Sequence, residues 1–76
     1  MSEAERYTLE IKWYPKGQLY VVIAPEWTAD WTMPISEGKT YEEAAKRGHE
    51  ALEHMVEITK EEGKPLPEPA LYEVAG

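Results

Sequence analysis

The chain of 76 residues has no cysteine and only eight basic residues. Without cysteine it can form no disulfide, no thiolate nucleophile and no cysteine-based zinc site. Eight Lys and Arg against fifteen Asp and Glu give a net charge of −7. This balance argues against nucleic acid and against an anionic membrane surface as partners, because polyanions are bound by basic surfaces.

Long apolar runs are also missing. No stretch approaches the roughly 18 apolar residues of a membrane-spanning helix. The first residues, Met1 to Glu5, are acidic and polar, unlike a signal peptide. We therefore expect a cytoplasmic protein. The hydrophobic share of 42% is sufficient for a folded domain. We expect a single domain over residues 1–76, with its core over about 6–75 and no separate DNA-binding domain.

Groups that could perform catalysis are few. The chain has one Asp and two His, and half of its Glu residues fall on a predicted helix. His49 and His54 are five residues apart, so on a helix they point about 140° apart, which does not suit a shared metal ion. In the three strands predicted before the helix, Glu10 is the only acidic residue, with Asp30 near the third, too few for a nuclease metal site. We expect no enzyme, no catalytic residue, no metal and no cofactor.

A β-hairpin is predicted near the start. Polar and apolar residues alternate over residues 6–13, which favours a half-buried strand. Residues 15–17 (Pro-Lys-Gly) then form a turn, and the apolar run 19–24 suits a central strand. A three-residue loop would pair Lys12 with Tyr20. This register places Tyr20 and Val22 on the outer sheet face, as an apolar stripe away from the core.

The second half predicts one long helix. Thr40 and Glu43 form a capping box, apolar residues follow at helical spacing, and Gly63 ends the helix, so we expect it over about 40–62. Residues 31–33 are a candidate third strand and residues 36–39 a turn. Residues 70–74 are expected to form a last strand, parallel to the first. The fold class is α+β: a small mixed sheet (β-β-β-α-β) with one long helix packed on one face.

In this order of motifs the chain resembles the HicB family of antitoxins. The matching stretches are a strand ending in a Gly hairpin, a strand ending in Pro plus an acid, a Ser-Glu-Gly-Lys-Thr-Tyr-Glu-Glu-Ala segment, and a Gly-Pro-rich helix end. They occupy residues 13–17, 20–26, 36–44 and 62–69. The resemblance covers about residues 7–74.

The resemblance implies a partial RNase H-like fold without nuclease activity, in a dimer or higher oligomer. It also implies that the chain binds and silences HicA, a small basic RNA-cleaving toxin, or is a solitary relative of such antitoxins. Residues 27–35 depart from the family pattern, since they are longer and Trp-rich. Many family members carry a C-terminal DNA-binding module, but we expect none within residues 1–76, so repressor function is not implied.

Candidate partner-binding residues lie in two places. Trp27 and Trp31, with Met33 beside them, are candidate anchors because Trp is the residue most enriched at binding hot spots. The alternative is that both Trp side chains fill the open ends of a small core. Tyr20 and Val22 on the outer face are the second candidate, and a second copy could cover them. A small homodimeric ligand-binding module that uses the Trp27/Trp31 loop is the alternative function.

Overall fold

A computed structural model describes residues 3–73 and shows one long helix packed across a small antiparallel sheet. The sheet has three strands in the order β1-β2-β3. The elements, in chain order, are a 3-10 helix at Glu3–Arg6, β1 at Glu10–Tyr14, β2 at Leu19–Ile23, a 3-10 helix at Pro25–Trp27, β3 at Ser36–Gly38 and α1 at Tyr41–Glu61. The expected α+β class with one long helix is confirmed at this level.

Helix α1 begins where the capping pattern predicts. The Thr40 hydroxyl accepts a hydrogen bond from the Glu43 N–H at 3.1 Å. The Glu43 carboxylate accepts one from the Lys39 N–H at 3.1 Å, one residue before the expected partner. The Glu43 N–H, a backbone donor that the helix leaves unpaired at its start, is thus satisfied, and so is the Lys39 N–H just before the cap.

The other end of α1 closes on Gly63, as predicted. Gly63 has a φ of +70°, a conformation that glycine adopts without steric cost. Its N–H donates to the Lys60 carbonyl at 3.0 Å, and the Lys64 N–H donates to the Thr59 carbonyl at 3.1 Å. This pair of bonds is the Schellman motif, which ends the helix at Glu61.

The core lies between the sheet and one face of α1. The helix contributes buried residues at the predicted spacing: Ala44, Gly48, Leu52, Met55, Val56 and Thr59. Two glycines allow the close approach. A Cβ on Gly48 would lie 2.7 Å from Val22 Cγ1, and one on Gly38 would lie 2.5 Å from the Ala44 nitrogen. The helix therefore sits directly on β2 and on the end of β3.

The predicted hairpin register is wrong by one residue. β1 pairs Tyr14 with Leu19 and Lys12 with Val21, so the loop has four residues, 15–18. Gln18 takes the left-handed conformation (φ 51°) that Gly17 was expected to supply. Because side chains alternate along a strand, this shift exchanges the two faces of β2. Val22 consequently faces α1, and the outer face carries Leu19, Val21 and Ile23 instead.

The third strand also differs from the prediction. It is formed by Ser36–Gly38, which was expected to be a turn, rather than by residues 31–33. The 3-10 helix Pro25–Trp27 is instead followed by a turn at residues 28–30, and the Trp31 N–H donates to the Trp27 carbonyl at 3.1 Å. Pro34 has no N–H to donate. The bonding to β2 begins at the next residue, where the Ile35 N–H donates to the Val22 carbonyl at 2.9 Å.

The chain after α1 is extended but forms no strand over residues 64–73, so the predicted last strand is absent there. Its final residue, Val74, lies outside the described residues. The Tyr7 hydroxyl donates to the Pro67 carbonyl at 2.6 Å, and the Ala70 N–H donates to Glu26 at 2.8 Å. These bonds hold residues 67–70 beside Tyr7, just before β1.

Within residues 3–73, α1 is too polar to cross a bilayer, and no other helix there is long enough.

Candidate interaction surfaces

Trp27 is a core residue. It is 2% exposed and belongs to the main hydrophobic cluster with Leu52 and Met55. Its ring packs edge-on against Tyr7, with the ring centroids 5.1 Å apart. A side chain buried in this way offers no contact area to a partner, so the core alternative for Trp27 agrees with the structure.

Trp31 and Met33 are half-buried and pack against the same cluster. Trp27 and Trp31 also line a small cavity of about 80 Å³, together with Asp30, Thr59, Glu62, Lys64, Pro65 and Pro67. The Trp27 Nε1 atom is the one buried side-chain polar atom of the described residues without a hydrogen-bond partner. Trp31 and Met33 keep some exposed surface, and their role in partner binding stays a prediction.

The predicted outer stripe of Tyr20 and Val22 lies on the opposite side of the sheet from the one expected. Val22 is 0% exposed and sits beneath Gly48. Tyr20 is half-buried and lies on the same side, near the start of α1. The expectation that these two residues form an uncovered outer stripe is therefore wrong, because the four-residue loop exchanged the faces of β2.

Three aromatic rings form the largest exposed aromatic contact on the helix side. Tyr20 packs between Trp13, at 5.1 Å and edge-on, and Tyr41, at 4.4 Å and tilted by 30°. Trp13 is 52% exposed and Tyr41 is 61% exposed. We call Trp13, Tyr20 and Tyr41 the aromatic surface. Each ring is held by its neighbours, so little side-chain freedom remains to be lost on binding.

Trp13 and Tyr41 were not among the predicted surface residues. Each matches the apolar period of its element, which predicts a position on the core face. The available signal was their position. Trp13 adjoins the hairpin turn and Tyr41 is the first residue of α1. Side chains at the ends of a strand or helix have fewer packing neighbours, which favours exposure.

The exposed face of α1, the helix that begins at Tyr41, is acidic. It carries five exposed glutamates against three exposed basic residues. The glutamates are Glu42, Glu50, Glu53, Glu57 and Glu61, and the basic residues are Lys46, Arg47 and Lys60. Arg47 is paired with Glu43 at 3.6 Å, and Lys60 is paired with Glu3. The remaining charge on this face is negative.

The Glu26 side chain forms hydrogen bonds with two distant segments of the chain, at Thr8 and at Ala70. Its carboxylate accepts bonds from the Thr8 N–H at 3.1 Å, the Thr8 hydroxyl at 3.1 Å and the Ala70 N–H at 2.8 Å. Partial burial raises the pKa of the Glu26 carboxyl, but these bonds outweigh it, so its pKa lies below the usual value. Burial and the nearby Glu26 charge raise the pKa of the Tyr7 hydroxyl. These bonds hold the segments around Thr8, Glu26 and Ala70 together.

Other titratable groups are dispersed. His49 pairs with Glu53 at 3.1 Å along α1, while His54 is exposed. Over residues 3–73 no group of three or more His, Asp or Glu side chains is placed to hold a metal ion.

Comparison of the chain with family models, with curated proteins and with solved structures gave no match to any of them. The interaction surfaces are therefore assigned from this chain's own geometry.

Proposed function

We propose that this chain is a non-catalytic, HicB-like antitoxin domain that acts in the cytoplasm by binding a small basic protein. The partner is a HicA-type mRNA-cleaving toxin, or another basic protein if the chain is a solitary relative. The observation that carries the proposal is the aromatic surface, exposed on a domain with a net charge of −7. Binding would hide the toxin's RNA-binding face and so prevent cleavage by occupancy alone.

The aromatic surface suits a basic partner. Trp and Tyr are the residues most often found as binding anchors. Their ring faces also attract Arg and Lys side chains. Trp13 and Tyr41 present rings already fixed against Tyr20, which reduces the entropy lost on association.

The net negative charge of the chain also favours a basic partner. A toxin that cleaves RNA has a basic RNA-binding face, because its substrate is polyanionic. An acidic domain accelerates encounter with such a face through long-range attraction. Helix α1 begins at Tyr41 of the aromatic surface, and its exposed glutamates are spread along the helix from Glu42 to Glu61. One anchor residue therefore lies on the element that carries these negative charges.

The partial RNase H-like architecture is part of the same proposal. A hairpin, a third antiparallel strand and a long helix on one face fit it. In that fold the chain after the helix returns to lie beside the first strand. Residues 67–70 return to Tyr7 and Thr8, just before β1, through the Tyr7–Pro67 bond and the bonds of Ala70 and Thr8 to Glu26, which supports the proposal.

Inhibition of RNA cleavage tests the proposed function. The chain is mixed with the small basic protein encoded beside its gene, and cleavage of a labelled RNA is followed. We expect cleavage to stop at about one chain per toxin. We also expect the Kd to weaken severalfold between 50 and 300 mM salt, because exposed charges are screened.

The matched control is an unrelated protein of similar size and net charge, which should leave cleavage unchanged. If the chain fails to bind the neighbouring protein, or binds it while RNA cleavage continues, neutralisation by occupancy is rejected. Turnover of RNA by the isolated chain would contradict the non-catalytic role.

A ligand-binding module is the second candidate. The cavity of about 80 Å³ beside Trp27 and Trp31 favours it, together with the unpaired Trp27 Nε1 donor. A cavity of this size admits only a very small molecule carrying a hydrogen-bond acceptor. A ligand-dependent change in Trp fluorescence that is lost in Trp31→Ala would support this function, and no response to a panel of small metabolites would count against it.

A further inference from the structure

Strand β1 is an edge of the sheet with one open side. The strand order is β1-β2-β3, so β1 pairs with β2 on one side only. It has five residues, Glu10–Tyr14, whereas the other edge strand, β3, has three. An open strand edge presents N–H and C=O groups that can pair with another extended chain. The longer edge of this kind is therefore the one at β1.

Ile11 and Trp13 are the residues whose backbone groups point to the open side. The Val22 carbonyl of β2 accepts a bond from the Ile35 N–H, so the Val22 backbone groups point towards β3. Val22 is the partner of Ile11. Two residues paired in an antiparallel ladder are either bonded to each other or both turned away. The N–H and C=O groups of Ile11 therefore point away from β2, and those of Trp13, two residues further on, do the same.

These four backbone groups have no backbone partner in the described part of the chain. Among residues 3–73, no strand lies beside the open side of β1. Over the same residues, no backbone bond of a turn or loop reaches Ile11 or Trp13. The edge is thus available for hydrogen bonds to another chain.

The helix side of β1 is also open next to this edge. Helix α1 packs mainly over β2 and β3 and contacts β1 least. The Trp13 side chain lies on the helix side, where it packs on Tyr20, and it is 52% exposed. The open edge and the aromatic surface therefore meet at Trp13, which belongs to both.

A basic polypeptide in extended conformation fits this edge. Unpaired N–H and C=O groups along a strand are matched by the backbone of another extended chain. The net charge of −7 repels a second copy and attracts a basic chain. Up to residue 73 the chain's own C-terminal part does not fill the edge, since Leu71 and Tyr72 are 69% and 90% exposed.

We propose that the open edge of β1 binds an extended segment of the basic partner, which joins the sheet as a further strand beside Ile11 and Trp13. This inference rests on the function proposed above, because the partner is the same basic protein. It adds the mode of binding, which combines backbone hydrogen bonds at the edge with a side-chain contact on the aromatic surface.

The partner segment carries a Lys or Arg opposite Trp13. The Cβ atoms of two residues paired across neighbouring strands are about 4.5–5.5 Å apart, so such a side chain reaches the exposed Trp13 ring. The ring attracts its positive charge and contacts its aliphatic part. Successive residues of a strand point to opposite faces, so every second residue of the segment lies on the side of the aromatic surface.

Amide proton exchange, followed by NMR on the full chain, tests this mode of binding. In the free chain we expect the Ile11 and Trp13 amides to exchange fast, while the Lys12 amide, which points towards β2, is protected. When the small basic protein encoded beside the gene is added, exchange of the Ile11 and Trp13 amides should slow at least about tenfold. The exposed Glu68, outside the sheet, is the internal control, and its amide should keep its rate. Calorimetry on the same samples shows whether the complex forms.

The variant Ile11→Pro tests the same edge by mutation. Proline removes the N–H that points to the open side and leaves the bonds between β1 and β2 in place. We expect the Kd for the basic protein to rise at least about tenfold. Ile11→Ala is the matched control, because it also loses the isoleucine side chain but keeps the N–H, and its Kd should stay within about threefold. Circular dichroism checks the fold, and the exchange measurement on the unmodified chain decides if Ile11→Pro does not fold.

Three results would overturn the proposal. Binding of the basic protein with unchanged exchange at Ile11 and Trp13 rejects the added strand and leaves the proposed function standing. Protection of both amides already in the free chain shows that the chain's own C-terminal residues fill the edge or, if dilution removes the protection, that a second copy does. Absence of any binding in the calorimetry rejects the proposed function and this inference together. Slower exchange of both amides in the complex alone is the result that supports it.

Discussion

Gly48 of α1 lies directly against Val22 of β2: a Cβ at position 48 would come within 2.7 Å of Val22 Cγ1. No real Cβ atom sits this close to a carbon atom without displacing it. The glycine therefore sets the distance between the helix and the central strand. That distance in turn fixes where Tyr41 and Tyr20 meet.

Gly48→Ala is expected to destabilise the domain although alanine is the better helix former. The propensity gain is about 1 kcal/mol, whereas forcing a methyl group into a packed core costs about 1–3 kcal/mol. We expect the free energy of unfolding, measured in urea, to fall by about 1 kcal/mol.

The Val22→Ala background provides the control. Removing the two Val22 methyl groups makes room for the new Cβ, so Gly48→Ala should then stabilise that variant by about 1 kcal/mol through helix propensity. A stabilising effect of Gly48→Ala in the wild type would contradict the close contact.

Glu26→Gln is expected to weaken the fold in a pH-dependent way. The carboxylate accepts bonds from Thr8 and Ala70, and hydrogen bonds to a charged group contribute about 1.5–3 kcal/mol each when buried. Glu26 is only partly buried, so we expect a loss of about 1–2 kcal/mol at pH 7 by urea unfolding. Exposed Glu68→Gln is the matched control, with little expected change.

The sign of the pH effect follows from the lowered pKa of Glu26. A group whose pKa is lower in the folded state stabilises fully above its unfolded pKa, about 4.3 for Glu. This stabilisation disappears as the pH falls through the folded pKa. The difference between wild type and Glu26→Gln should therefore be constant from pH 7 to about pH 5 and shrink below about pH 4. A difference that grows on acidification would contradict the assignment.

Trp31→Ala separates a core role from a binding role. Trp31 is half-buried against the main cluster, so we expect its removal to lower stability by about 1–2 kcal/mol and to lower the Tm. Affinity for the basic partner should stay within about twofold. Lost affinity at an unchanged Tm would instead identify Trp31 as a binding anchor.

The helix could be predicted because its signals are local. Thr40 and Gly63 mark its ends through bonds to residues three to five positions away, and the apolar period gives its buried face. These contacts depend little on the rest of the chain. The predicted helix, residues 40–62, therefore differs from the observed helix, Tyr41–Glu61, by one residue at each end.

The sheet faces could not be predicted in the same way. They depend on one loop length, and the unusual left-handed conformation of Gln18 has no strong sequence signal. One extra loop residue moved Val22 into the core and Val21 to the outside. The choice of candidate anchors changed with it, from Trp27 and Val22 to Trp13 and Tyr41 beside Tyr20.

The most direct test of the proposed function is the affinity of the aromatic-surface variants for the small basic protein encoded beside the gene, measured by calorimetry. Trp13→Ala and Tyr41→Ala should each raise the Kd about ten- to thirtyfold, the effect of losing 1.4–2 kcal/mol at a binding anchor. Tyr72→Ala, which removes a tyrosine that is 90% exposed outside this surface, should change it less than twofold. Equal affinities for wild type and both aromatic-surface variants, with unchanged melting temperatures, would contradict the account.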